Sequence, residues 1–235
     1  MTARETLAYG LELLHAQGYP QAVDNLVQFS EMLLEKNKVM NLTAITDPIE
    51  VVTRHFLDCA VLVPHMAAGA RVIDVGTGAG FPGLPLAILC PETEFVLLDA
   101  LRKRVDFLNE VIAALGLRNV TAVHARAEEF AKEQRGSFDC AVSRAVAELR
   151  VLCELTLPLV KTGGIFLAMK AHDCAAETAA AQPAIHILGG SPAEIVPYTV
   201  PVSAIQRALV SIRKTGDTPA KYPRRFAKIN AQPLG

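Results

Sequence analysis

The sequence predicts an α/β fold: an open, mostly parallel sheet with helices on both faces, preceded by a small helical extension. Three observations predict it. From Arg71 onward, short apolar runs alternate with amphipathic stretches, the pattern of a parallel sheet with crossover helices. Directly after the first such run stands "DVGTGAGFPG" (74–83), a glycine-rich turn leading towards a helix. Ahead of Arg71, apolar residues recur at helical rather than strand spacing.

Thr2 and Glu5 have capping-box spacing, and Leu7, Leu11 and Leu14 follow as one helical face. A second helix is expected after Pro20, with Val23, Leu26, Val27, Met32, Leu33 and Leu34 as its apolar stripe, and "NKVMNLTAIT" interrupts the pattern. Asp47 reads as the N-cap of a third helix, with Pro48 in its first turn and Glu50 three residues after the cap. Candidate strands are "RVIDV", "EFVLLD", "VTAVH", "FDCAVS", "GGIFLAMK", a stretch near "AEIVPYTV", and "ALVSIRK". No long helix separates the last two, so they are expected to form an antiparallel edge hairpin around "PVSAIQR". The expected division is a helical extension over 1–66 and a sheet-bearing domain with a basic tail over 67–235.

Composition narrows the function. The chain has 235 residues, 51% of them hydrophobic, enough for one packed domain with an appendage. A net charge of −1 gives no global attraction to nucleic acid, so any such contact must be a local patch. The five cysteines are widely spaced with no CxxC pair, which argues against zinc and for reduced thiols in the cytoplasm. The start lacks the apolar core of a signal peptide, and no apolar run is long enough for a membrane span.

The glycine turn fits two templates. Gly76-x-Gly78-x-Gly80 suits a methyltransferase loop, and Gly78-x-Gly80-x-x-Gly83 matches a dinucleotide fingerprint. No Gly-Lys-Ser/Thr follows, so a Walker loop is excluded. Asp74 ends the strand two residues before Gly76. A carboxylate there would oppose a pyrophosphate and suit a cationic ligand such as S-adenosylmethionine. Asp99 ends the next strand, where an acid can accept hydrogen bonds from ribose hydroxyls in either cofactor class. An NAD-dependent oxidoreductase would also need a substrate domain with an acid–base residue, and past Asp99 the chain shows only one continuing sheet. A non-catalytic RNA-binding protein with a vestigial loop is the reading from another class; the intact Gly76, Gly78, Gly80 and Asp99 argue against it.

"NLTAITDP", "RHFLDC", "DVGTGAGFPGLPLAI", "LLDALRKRVDFL", "HARAEEF", "SRAVA", "MK" and "KYPRR" occur in that order. As a set they make the chain resemble the bacterial small-subunit (16S) ribosomal RNA guanine-N7 methyltransferases, the glucose-inhibited division protein B family. The resemblance runs from about Asn37 to Leu234. It implies a class I S-adenosylmethionine-dependent methyltransferase fold, Rossmann-like, with a mostly parallel seven-stranded sheet. It also implies methyl transfer to N7 of one guanine in 16S ribosomal RNA. Cofactor contacts are implied at Gly76, Phe81, Asp99, Ala127, Glu128 and Arg144; our reading of the loop adds Asp74, Gly78 and Gly80. Two departures stand out: Ala171 follows "MK" where the family usually has glycine, and Ala227 and Ile229 replace a glycine and a proline after "KYPRR".

Guanine N7 has a free lone pair and loses no proton before attack, so catalysis is expected to be mainly positioning. That matches a sequence without a Ser-His-Asp set, paired catalytic carboxylates or a metal cluster. Arg144 and Lys170 are the positioning candidates, and His55 reads more readily as structural than as acceptor-lining. Between Arg213 and Lys228 six basic residues face Asp217, a net +5 that leaves −6 on the rest of the chain. Lys221, Arg224 and Arg225, interleaved with Tyr222 and Phe226, are expected to bind RNA, with Pro223 holding both arginines outward. This tail is expected to lie apart from the sheet's ligand edge. Arg102, Lys103 and Arg104 stand at a helix start, where cations are otherwise disfavoured, and complete the expected RNA contacts. The expected partner is 16S ribosomal RNA or the small ribosomal subunit, and the expected state is a monomer without metal or membrane contact.

Overall fold

A computed structural model describes every residue of the chain except Gln17 and Tyr19. Seven strands form one sheet in the order β3-β2-β1-β4-β5-β7-β6. They are β1 Arg71–Val75, β2 Glu94–Asp99, β3 Val120–His124, β4 Phe138–Arg144, β5 Val160–Ala171, β6 Glu194–Thr199 and β7 Gln206–Arg213. Strands β1 to β5 are parallel, and β7 runs antiparallel to both β5 and β6. The expected edge hairpin is therefore present. Strand order reverses between β1 and β4, the switch point at whose carboxyl edge ligands of such sheets bind.

The strands divide their side chains with period two. Val72, Phe95, Leu97, Cys140 and Val142 face one core, and Ile73, Val75, Val96, Leu98 and Ala141 face the other. The first core also takes α1 (Ala3–Leu13), α2 (Ala22–Met40), α5 (Gly83–Leu89) and α6 (Arg102–Ala114). The helices ahead of residue 66 thus share a core with the sheet: Leu7, Leu11, Leu26, Phe29 and Leu33 are fully buried there. The second core takes α7 (Ala127–Glu133), α8 (Leu149–Thr156), α9 (Ala175–Ile187) and α10 (Phe226–Ala231).

Local chemistry sets the ends of several elements. Thr2 and Glu5 form the expected capping box on α1. Helix α2 continues through Met40, past the expected break, and stops where Asn41 adopts a left-handed conformation. The Asn37 side chain then clamps Thr43, donating to its carbonyl at 2.8 Å and accepting from its N–H at 2.9 Å. Asp47 caps α3 (Pro48–Val51) by accepting from the N–H groups of Ile49 and Glu50, each at 2.9 Å. Helix α3 does not run on as one regular helix. A π-helical turn, Val52–Phe56, leads from it into α4 (Leu57–Ala60); such turns accompany functional sites.

The tail corrects an expectation. Arg224 points inward, with its Nε 2.8 Å and an Nη 2.6 Å from the carboxylate of Glu154, which is fully buried on α8. The Arg224 backbone N–H also donates to Glu154, and the same guanidinium reaches the Gln232 carbonyl. A buried carboxylate demands such a partner. Lys214 is likewise withdrawn, donating to the carbonyls of Leu157 and Leu188 and to the Thr218 hydroxyl. Arg225 is exposed. Arg224→Ala is therefore expected to lower stability by about 3–5 kcal/mol, the usual loss when half of a buried pair is removed. Arg225→Ala is expected to change it by less than about 0.5 kcal/mol. Denaturant unfolding of the two variants measures the difference.

Candidate cofactor and acceptor site

A cavity of about 630 Å³ opens at the carboxyl ends of β1, β2 and β4. Its volume falls in the range of small-molecule sites. Gly76 and Gly78 form its floor with φ of +75° and +62°, a region that disfavours side chains. A Cβ on Gly76 would come within 2.6 Å of Val146, whereas one on Gly78 would meet nothing closer than the Gly76 carbonyl at 4.0 Å. The floor at Gly78 is thus open to a ligand.

Asp99 joins the loops after β1 and β2. One of its oxygens accepts from Gly78 N–H at 2.9 Å and the other from Leu101 N–H at 2.8 Å. Arg104 approaches the first oxygen at 3.4 Å. This acid, 4% exposed, lines the cavity. Asp74 does not line it, contrary to expectation. Its carboxylate lies beneath the turn and accepts from Gly83 N–H at 2.8 Å, at the start of α5. Helix starts leave N–H groups without intrahelical partners, and Asp74 satisfies one. Burial pushes its carboxyl up to about 7, although the Thr77 hydroxyl and Gly83 N–H pull it down. Gly80 is also outside the cavity wall; a Cβ there would press on Leu108 and Leu84.

At one end the π-helical turn brings His55 against Phe81, ring centroids 4.4 Å apart, with the Arg144 guanidinium 5.0 Å from the same ring centre. Arg144 donates to His55 Nδ1 at 3.0 Å, to the Arg54 carbonyl at 3.1 Å and to the buried Asp58 at 3.2 Å. Because a guanidinium only donates, Nδ1 must accept, and the ring proton lies on Nε2, 3.0 Å from Thr43 Oγ1. Burial first, and Arg144 second, push His55 down to about 3. Ala145, next to Arg144, holds a φ of +56° in the cavity wall.

The opposite wall is Ala125, Arg126, Ala127 and Glu128, joined by Phe226 of α10. Glu128 is buried and its Oε1 accepts from Phe226 N–H at 3.3 Å, so this carboxylate already has a partner in the tail. The tail therefore does not lie apart from the sheet's ligand edge, because Phe226 brings it there. Lys170 stands outside the cavity, held by the Ala147 carbonyl at 3.0 Å and Glu177 at 2.6 Å. Of the expected RNA contacts, Arg102, Lys103, Lys221 and Arg225 are exposed, Arg104 is drawn to Asp99, and Arg224 is withdrawn. Lys221 lies over the Tyr222 ring. Sequence reasoning missed Thr43, Arg126, Val146 and Phe226 as wall residues. Asn41, a residue tolerant of left-handed backbone just before Thr43, was a usable signal for the first; the others had none.

The model of one family, rRNA small subunit methyltransferase G, matches residues 22–209. The chain belongs to that family. It is 44% identical over 208 residues to Ribosomal RNA small subunit methyltransferase G of Desulfitobacterium hafniense, covering 88% of this chain and 87% of the relative. It is 41% identical over 238 residues to the protein of that name from Alkaliphilus oremlandii, covering all of both chains. Among solved structures, precorrin-6y C5,15-methyltransferase of Geobacter metallireducens superposes with a TM-score of 0.52 at 15% identity, covering 75% of this chain and 92% of the other. M. jannaschii TYW2 in complex with AdoMet gives 0.54 at 15% identity, covering 66% of this chain and 73% of that one. The methyltransferase fold expected from the family motifs is the fold observed. No described helix is long and apolar enough to cross a membrane.

His55 makes a pH signature. A histidine whose folded value lies below its unfolded one, about 6.5, contributes stability above that value, and the contribution is lost as pH falls towards about 3. Glutamine can accept from Arg144 and donate to Thr43 without titrating. His55→Gln should therefore lose less stability than the parent between pH 6.5 and the acid limit of folding, measured by urea unfolding across that window.

Proposed function

We propose that the protein transfers a methyl group from S-adenosylmethionine to N7 of a guanine in 16S ribosomal RNA, acting as a cytoplasmic monomer on the RNA or the small ribosomal subunit. The observation that carries this reading is the Asp99-braced glycine floor of a methyltransferase-family chain, open to a ligand at Gly78. The donor set suits the group. Asp99 sits where ribose hydroxyls can replace the long Arg104 contact, and Gly76 and Gly78 admit the methionine portion closely. Ala127 and Glu128 would border the adenine, and Phe81 and Arg144 would stand beside the reacting end. Asp74 and Gly80 support the loop from beneath. When bound, the cofactor supplies an electrophilic methyl on a sulfonium.

The chain's own residues then act by placement. Guanine N7 attacks with its lone pair, so no side chain need withdraw a proton. His55, held neutral by burial and by Arg144, adds no positive charge where the guanine acquires one. Asp58 offsets the charge of Arg144. The wall of Thr43, His55 and Phe81 gives the acceptor base an edge and a face to rest on. Arg102, Lys103, Lys221 and Arg225 are exposed for phosphate contact.

Calorimetry with S-adenosylhomocysteine and NAD tests the cofactor, and mapping of 7-methylguanine in 16S RNA from a strain lacking this enzyme, treated with the protein, tests the reaction. Heat with NAD and none with S-adenosylhomocysteine would overturn the reading. Asp99→Ala should weaken S-adenosylhomocysteine binding by about 1–3 kcal/mol. Gly78→Val, strained at positive φ, should abolish methyl transfer yet keep a cooperative thermal transition. Removing Arg102, Lys103 and Arg225 together should weaken RNA binding and make its salt dependence shallower by up to about three phosphate contacts, read from binding isotherms at several salt concentrations.

A further inference from the structure

We propose that α10 is a wall of the adenine subsite and that the Phe226 ring touches the adenine directly. The inference rests on the cofactor reading above and adds a contact from a segment expected to serve RNA alone. Phe226 lines the same cavity as Ala127 and Glu128, and 37% of its surface is open. Its N–H donates to Glu128, so the tail and the segment after β3 form one continuous wall. Its position is set by buried anchors on both sides: Ile229 is 0% exposed in the second core, and Arg224 is bonded to Glu154.

This wall depends on Ala227 and Ile229, which let the tail form a helical turn. Ile229 N–H donates to the Arg225 carbonyl at 3.1 Å, closing the first turn of α10. Proline there would remove that bond, and glycine in place of Ala227 would weaken the helix. Alanine and isoleucine permit the turn, and the buried isoleucine seats it. The consequence is a partly open aromatic ring beside a cavity whose opposite end already holds the Phe81, His55 and Arg144 group. Nucleobases stack on such rings with little demand on hydrogen-bond geometry.

The sequence contains no tryptophan, so Phe226→Trp places a sole indole at the wall. We expect its emission to change on titration with S-adenosylhomocysteine, saturating with the calorimetric isotherm of the same variant. 5′-Methylthioadenosine, which keeps the adenine, should produce the same change, and methionine should not. Phe226→Ala should weaken both adenine ligands by a similar factor, roughly tenfold, with its unfolding midpoint unchanged. Unchanged emission under saturating S-adenosylhomocysteine, or parental affinity in Phe226→Ala, would overturn the wall and leave the cofactor reading standing. No heat with S-adenosylhomocysteine in the parent protein would overturn the cofactor reading, and the wall with it.

Discussion

The site depends on how one buried carboxylate is answered. Asp58, 2% exposed on α4, accepts from Arg144 on β4 at 3.2 Å and from the Tyr198 hydroxyl on β6 at 2.8 Å. Arg207 on β7 comes within 4.0 Å. A charge so placed is costly without partners, and removing Asp58 would take an acceptor from both Arg144 and Tyr198. The cluster therefore ties the N-terminal helices to the middle of the sheet and to its antiparallel edge. The same Arg144 orients His55 and reaches over Phe81, so the geometry of this end of the cavity follows from an ion pair remote in sequence.

Carboxylates do comparable work in the loops. Asp74 satisfies the start of α5, Asp99 stitches two loops together, and Glu154 holds the tail. Each accepts from a backbone N–H in a loop or at a helix start, where neither a helix nor a strand supplies the partner. The glycine turn is braced by two of these bonds, at Gly78 and Gly83. A floor held in place before the ligand arrives needs little ordering on binding.

The tail is less separate from the rest of the protein than its composition suggested. Two of its basic residues, Lys214 and Arg224, are used inside the protein to hold chain to chain. The remaining exposed cations lie on a segment whose first helical residue borders the cavity. The tail thus carries exposed cations and a cavity-wall residue within a few positions of each other.

The sequence by itself determined the strands, the edge hairpin, the glycine turn and Asp99, because each is a local signal: period-two apolar runs, φ-permissive glycines, an acid at a strand end. The ordered motifs likewise sufficed to reach the family. Capping at Thr2 and Asp47 was legible for the same reason. Only the tertiary structure decided which charges were free. Arg224 and Arg225 are adjacent and chemically alike, yet one faces Glu154, seventy residues away, and the other faces solvent. Nor did the sequence reveal that Asp74 lies under the turn rather than in it, that Lys170 pairs with Glu177, or that Phe226 reaches Glu128. A side chain's surroundings come from segments far along the chain, and composition and spacing carry no record of which of them fold back to meet it.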